Sequence, residues 1–121
     1  MGLTAKDIMT TEVIVAAPRM SLKELATLLA DNDISGAPVV DYRGRLVGVA
    51  TEADILRRGP TQNTVQSVMI AEVTSVPETE SIEEIACLLS ARKINRVPVV
   101  KDGRVVGIVS RADLVKALTL A

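Results

Sequence analysis

Two short stretches of this chain place a carboxylate three residues after a hydroxyl: Thr51-Glu52-Ala53-Asp54 and Ser110-Arg111-Ala112-Asp113. Each follows a glycine, in Gly48-Val49-Ala50-Thr51 and Gly107-Ile108-Val109-Ser110, and each opens a segment that reads as a helix. A hydroxyl and an acid so placed have two uses. One is a capping box with Asp in place of Glu, since Ser or Thr at an N-cap and an acid in the first turn satisfy orphan N–H groups and complement the helix dipole. The other is recognition of a sugar phosphate. A helix start offers N–H groups and a positive dipole end to phosphate, while a carboxylate can accept from two ribose hydroxyls, each charge-assisted bond contributing roughly 1.5–3 kcal/mol. The uses can coexist, and these residues alone leave both open.

The two copies differ around this pair. Arg111 beside Ser110, and Arg96 before Val97, stand where the first copy has Glu52 and Gly36. Arg111 and Arg96 would attract phosphate and Glu52 would repel it unless turned to solvent, so the Asp113 copy is expected to bind better. Gly48 and Gly107 lie inside strand patterns, where glycine marks either close packing or close approach of a ligand. Arg57-Arg58 and Arg92-Lys93 read first as solvated helix ends with a favourable dipole, and second as contacts for a polyphosphate tail.

Much other chemistry is excluded by composition. Among 121 residues there is no His and one Cys, so the usual zinc sets and the Ser-His or Cys-His nucleophile pairs cannot be assembled within one chain. No phosphate-binding Gly-x4-Gly-Lys loop or paired-carboxylate motif announces catalysis, so neither catalytic nor metal-binding residues are assigned. A single aromatic residue, Tyr42, disfavours base stacking, and a net charge of -1 gives no general attraction to nucleic acid or anionic membrane. Apolar runs such as Val13 to Ala17 fall far below the ~18 residues of a membrane span, and no signal segment opens the chain, so a cytoplasmic location is expected. Cys87, between Ala86 and Leu88, is expected to be a small buried hydrophobe.

The elements that position these residues follow from local patterns. A lead-in helix at Thr4 to Met9 precedes a β-branched strand, Val13 to Ala16. Ser21-Leu22-Lys23-Glu24 is a capping box, and Leu22, Leu25, Ala26 and Leu29 form one apolar stripe that fades at Asp31 to Asp33. Pro38 suits the first residue of a strand, Val39-Val40 its body, and Asp41 to Gly44 a turn. Leu46 to Ala50 then pairs back as an antiparallel hairpin, and a helix after Thr51 ends near Gly59. The second copy repeats this order with Val73 to Val76, the box Ser81 to Glu84, the stripe Ile82, Ile85, Ala86 and Leu89, Val97 to Val100, the turn at Lys101 to Gly103, Val105 to Val109, and a helix after Ser110. Val65 to Met69 repeats the lead-in.

The β-α-β-β-α order, the Pro-Val-Val strand and the Gly-h-h-[Ser/Thr]-x-x-Asp ending (h, apolar), present in both copies, resemble a tandem pair of CBS domains, the module named after cystathionine β-synthase. The resemblance covers nearly the whole chain. It implies an α+β fold of two β-α-β-β-α repeats packed about a pseudo-twofold axis with ligand clefts between them: one module over 1–121, with repeats 1–59 and 65–121 and a linker at 60–64. It further implies a non-catalytic regulatory sensor that binds AMP, ADP or ATP, with S-adenosylmethionine as an alternative, and signals through a homodimer or a separate effector protein. The family pattern places contacts before each Pro-Val-Val, at Ile34, Ser35 and Gly36 and at Ile94, Asn95 and Arg96, with Ile14 and its counterpart Thr74 flanking the base. The better site then joins Ile14, Ile34 and Ser35 to Asn95, Arg96, Ile108, Ser110, Arg111, Ala112 and Asp113. The second joins Thr74 and Ile94 to Gly36, Val49, Thr51, Ala53 and Asp54. Two other readings stand beside this one: a ligand-independent dimerisation or scaffold protein whose hydroxyl–Asp pairs only cap helices, and an RNA or DNA binder acting through Arg57, Arg58, Arg92 and Lys93.

Overall fold

The structure is a computed structural model and describes residues 2–58 and 63–120, with the side chain of Arg58 outside the description. Gly59, where a helix end is expected, and linker positions 60–62 also lie outside the described residues. In chain order the elements are α1 (Ala5–Ile8), α2 (Leu22–Asp31), β1 (Gly36–Val40), β2 (Leu46–Thr51), α3 (Glu52–Arg58), α4 (Val65–Val68), β3 (Val76–Pro77), α5 (Ile82–Arg92), β4 (Arg96–Lys101), β5 (Arg104–Ser110) and α6 (Arg111–Ala117), followed by a 3-10 turn at Leu118–Leu120. They form two compact units, Ile14–Val73 and Met1–Val13 with Thr74–Ala121. The units cut across the sequence copies, because each lead-in packs with elements of the other copy.

In the Ile14–Val73 unit, Ser21 starts α2 as its capping box requires: Glu24 N–H donates to Ser21 Oγ at 3.0 Å and Ser21 N–H donates back to Glu24 Oε1 at 3.1 Å. The stripe follows, with Leu22, Leu25 and Leu29 buried against Ala37 and Val39 of β1 and Ala50 of β2. β1 and β2 pair antiparallel, with Pro38 opposite Val49 and Val39 opposite Gly48. The lead-in closes the unit. Val65 and Val68 of α4 enter the same core, and Val49 and Ile70 exchange N–H···O bonds at 2.9 Å in both directions. That exchange covers part of the outer edge of β2, which would otherwise offer unpaired backbone groups.

The other unit repeats the plan around Ile85, Leu89, Val97, Val99, Val109 and Ala5. Here Thr10 covers the edge of β5 by exchanging bonds with Ile108 at 2.9 and 3.0 Å. The β4–β5 hairpin turns through Asp102 and Gly103, both at positive φ (53° and 78°), the geometry that favours Asp-Gly in a two-residue loop.

Three expectations are corrected. The strand at Val13 to Ala16 shrinks to one parallel bridge, Ala16 to Val39, and Val73 to Val76 shortens to Val76–Pro77 beside Val99 and Val100. Proline is the cause. Ala16 N–H donates to the Pro38 carbonyl at 2.9 Å and Val40 N–H donates to the Ala16 carbonyl at 3.0 Å. The next rung back would need an N–H from Pro38 itself, which proline lacks. Pro98 ends the equivalent ladder. Pro38 is accordingly the third residue of β1, not its first, and does no harm to the hairpin because its nitrogen faces the bridge and not β2. Finally, Cys87 is exposed: the core-facing positions of α5 are Ile85 and Leu89, and residue 87 lies on the opposite side of the helix.

Candidate functional site

Both hydroxyl–Asp pairs are N-caps, built alike. Ser110 ends β5 and opens α6; its N–H and its hydroxyl both donate to Asp113 Oδ2, at 2.8 and 3.0 Å, while Asp113 N–H donates to Ser110 Oγ at 3.3 Å. Thr51 and Asp54 repeat this at 2.9, 3.0 and 3.3 Å. The first N–H of each helix is also satisfied, by the carbonyl just before the hairpin: Arg111 N–H donates to Asn95 at 2.9 Å and Glu52 N–H to Ser35 at 2.8 Å. Of the first three helical N–H groups, only those of Ala112 and Ala53 find no partner among the described residues. The helix start is therefore a narrower anion site than its sequence suggests, since the cap consumes most of its donors.

The carboxylates differ in what remains. Asp113 is half-buried, and its Oδ1 accepts from no protein group among the described residues. Asp54 is 2% exposed, and its Oδ1 accepts from Arg57 Nη2 at 2.7 Å. The second-copy counterpart of Arg57 is Lys116, and among the described residues no ion pair joins it to Asp113. Arg57 is thus an ion-pair partner and not only the solvated helix end that its sequence position suggests; the Asp-x-x-Arg spacing on one helix face is the signal for the pair.

Around Asp113 the fold gathers Asn95, Arg96, Ser110, Arg111 and Ala112. Arg96 lies directly across the ladder from Ser110, and Arg111 Nε reaches the Ile94 carbonyl at 3.4 Å, leaving its other N–H groups for solvent or an anion. Ile108, half-buried, is held through its backbone by Thr10, and Thr74 sits on the extended run before Val76. In the Ile14–Val73 unit, Gly36 lies across from Thr51, Ser35 supplies its carbonyl to Glu52, and Val49 is held by Ile70. Ile34 and Ile94 pack partly against their own units' cores, and Ile14 is half-buried before Ala16. Ala53 and Ala112 are exposed.

The glycines have a packing role. A Cβ on Gly48 would fall 2.7 Å from Met69 Sδ and 3.0 Å from the Ile70 carbonyl, so the residue is small because the lead-in crosses it. Met9 crowds Gly107 in the same way. Gly36 has a different neighbour: a Cβ there would meet Thr51 Cγ2 at 2.9 Å and the Ala50 carbonyl at 3.2 Å. Ser110 lacks that methyl, which leaves room for Arg96 to occupy the equivalent position.

Each unit also carries a shallow groove between its two longer helices. One, of about 260 Å³, is lined by Ala86, Leu89, Ser90, Arg111, Leu114 and Val115; the other, of about 200 Å³, by Ala26, Leu29, Ala30, Glu52, Ile55 and Leu56. Leu56 and Val115 on their rims are 82% and 64% exposed. Among the described residues no three His, Cys, Asp or Glu side chains converge as for a metal, and no helix is long and apolar enough to cross a membrane.

Comparison with known proteins places this geometry. The CBS domain model matches residues 5–60 and again 65–120. L-aspartate semialdehyde sulfurtransferase of Methanocaldococcus jannaschii is 36% identical over 111 residues, which are 90% of this chain and 22% of that protein, so the chain spans about a fifth of that relative's length. Two solved structures carry ligands. CBSX2, an Arabidopsis thaliana CBS-pair protein, in complex with AMP superposes with a TM-score of 0.90 at 30% identity, covering 98% of both chains. The CBS domain pair of the protein MJ0100 in complex with 5′-methylthioadenosine and S-adenosyl-L-methionine does so with a TM-score of 0.86 at 33% identity, again covering 98% of both chains.

Proposed function

The chain belongs to the CBS-domain family as a tandem pair, and from that membership we propose that it is a regulatory module that binds an adenosyl ligand, AMP, ADP or ATP, and passes its occupancy to a second copy or a separate effector. The observation that carries the reading is the Oδ1 of Asp113, unpartnered among the described residues and held still by the cap on Oδ2, with Arg96 across the ladder from Ser110 and Arg111 next to Ser110 in the chain. One carboxylate oxygen fixes the helix start; the other is free to accept from ribose hydroxyls. Arg111, Arg96 and the Ala112 N–H supply positive charge and donors for a phosphate, while Ser110 contributes only if its hydroxyl proton leaves Asp113. Relatives crystallised with AMP, and with 5′-methylthioadenosine and S-adenosyl-L-methionine, support the ligand class.

The test is thermal or urea unfolding with AMP, ADP, ATP, S-adenosylmethionine, NADH and an oligonucleotide in parallel. A ligand at 100 times its dissociation constant adds about 2.7 kcal/mol of stability. Asp113→Asn keeps the size and an acceptor for the cap but removes the charge, and should weaken adenosyl binding by roughly tenfold or more, the worth of a charge-assisted bond. Full affinity in Asp113→Asn removes this carboxylate from the site. No shift with any adenosyl compound at millimolar concentration leaves the alternative, a ligand-independent dimerisation protein, for which the apolar groove rims at Leu56 and Val115 and the complete caps speak. Response to the oligonucleotide alone, lost in moderate salt, would point to nucleic acid.

A further inference from the structure

We propose that Arg57 is a positioning residue that closes the first-copy carboxylate to ligand, so that the chain presents one open ribose acceptor and one blocked one. This rests on the adenosyl-binding reading above. The two caps match atom for atom in Oδ2, the N–H groups and the hydroxyl; they part at Oδ1 alone. On Asp113 that oxygen accepts from no described protein group, whereas on Asp54 it accepts from the Arg57 guanidinium at 2.7 Å. The carboxylate of Asp54 is almost fully buried while the Arg57 side chain is 61% exposed. With the acid buried and the guanidinium largely exposed, Arg57 takes up an acceptor position on Oδ1 that a ribose hydroxyl arriving from solvent would otherwise use.

Lysine in place of arginine explains why the second copy stays open. Lys116 occupies the same position on α6 with a single ammonium on a flexible stem, and makes no ion pair with Asp113 among the described residues. Arginine presents a planar fork that holds a carboxylate in a defined direction, and is less strongly hydrated than an ammonium. Glu52 beside Thr51 adds a like charge that an incoming phosphate must approach, so both differences act in the same sense.

The experiment is titration calorimetry of the wild type and of Arg57→Lys, Lys116→Arg and the double exchange, each with adenosine and with 2′,3′-dideoxyadenosine. Adenosine has no phosphate, so changes in phosphate attraction do not enter, and the dideoxy compound isolates the hydroxyl contribution. Arg57→Lys conserves charge, and its fold is checked by circular dichroism. Wild type should show one site that prefers adenosine over the dideoxy compound. Arg57→Lys should gain a second such site, with affinity raised by up to about fivefold at the first copy, the upper end of the range of an exposed ion pair. Lys116→Arg should lower the hydroxyl preference of the existing site, and the double exchange should move the open site to Asp54, where Asp54→Asn then abolishes it. Equal filling of two sites in the wild type overturns the proposal. So does one site in both wild type and Arg57→Lys with unchanged hydroxyl preference, and in that case the adenosyl-binding reading stands. No binding by any of the four proteins overturns both.

Discussion

Replacing Gly36 by Ala tests whether the difference between the two copies is imposed by packing. The new Cβ would lie 2.9 Å from Thr51 Cγ2, nearer than carbon atoms approach, and 3.2 Å from the Ala50 carbonyl. Overpacking of this kind costs about 1–3 kcal/mol, and the lower chain entropy of Ala in the unfolded state offsets about 0.4–1 kcal/mol, so a net loss of about 1–2 kcal/mol is expected. Thr51→Ser removes the offending methyl while keeping the capping oxygen. Alone it should cost about half of a buried methylene, ~0.4 kcal/mol, because Thr51 is half-buried. Combined, the two changes should then cost less than their sum by at least about 1 kcal/mol, since only the 3.2 Å contact with backbone remains. Urea unfolding followed by circular dichroism reads this directly: with a slope of about 1–3 kcal/mol per molar, the coupling moves the midpoint by roughly 0.3–1 M. Additivity within about 0.3 kcal/mol would refute the idea that the Thr51 methyl keeps position 36 small. In that event Arg96 stands opposite Ser110 for some other reason.

Gly107→Ala forces a Cβ into the Met9 side chain and should destabilise by about 1–3 kcal/mol, with Met9→Ala recovering part of it; unchanged unfolding would mean that the lead-in does not press on β5. Acid should also destabilise the fold in a defined window. Asp41 is held below the usual carboxylate range chiefly by the Arg45 N–H, with the Arg43 N–H and the Arg45 side chain adding to it, and Glu24 chiefly by the Ser21 N–H. Both folded values lie under the unfolded ones, so their stabilisation is complete above about pH 4.3 and is lost as pH falls through the folded values. Asp41→Asn and Glu24→Gln should each flatten the decline of the urea midpoint as pH falls below the unfolded carboxylate range, and an unaltered slope in both would contradict this.

Where one side chain's neighbours decide its state, the fold was legible from pattern. The capping box at Ser21, the stripe Leu22, Leu25 and Leu29, and the Asp102-Gly103 hairpin appear as their local chemistry demands, while at Ser81 only half of the expected box forms, Glu84 N–H donating to Ser81 Oγ. Legibility failed where a distant partner decides. Val13 to Val15 have every strand preference yet do not pair, because the missing N–H belongs to Pro38, more than twenty residues away. Gly48 and Gly107 admitted two readings until Met69 and Met9 were seen crossing them, a contact between segments of opposite copies that neither motif contains. At the candidate site the hydroxyl, acid and basic residues were visible in the sequence. Invisible was the division of labour within each carboxylate, because hydrogen-bond partners are assigned atom by atom and a sequence names only residues.

That division dissolves an apparent choice between capping and binding. A carboxylate has two oxygens and about four acceptor positions. In both copies Oδ2 takes two donors from the N-cap residue, which fixes the rotamer of the acid and aims Oδ1 away from the helix start. An acceptor already immobilised by the fold loses little conformational entropy when a hydroxyl arrives, so the cap would strengthen recognition rather than compete with it. The same logic makes the copies separable by a single side chain. On this proposal nothing in the Thr51–Asp54 cap needs altering to silence it toward ligand: a guanidinium at the next turn would suffice, and its replacement by lysine on α6 would leave a like cap open.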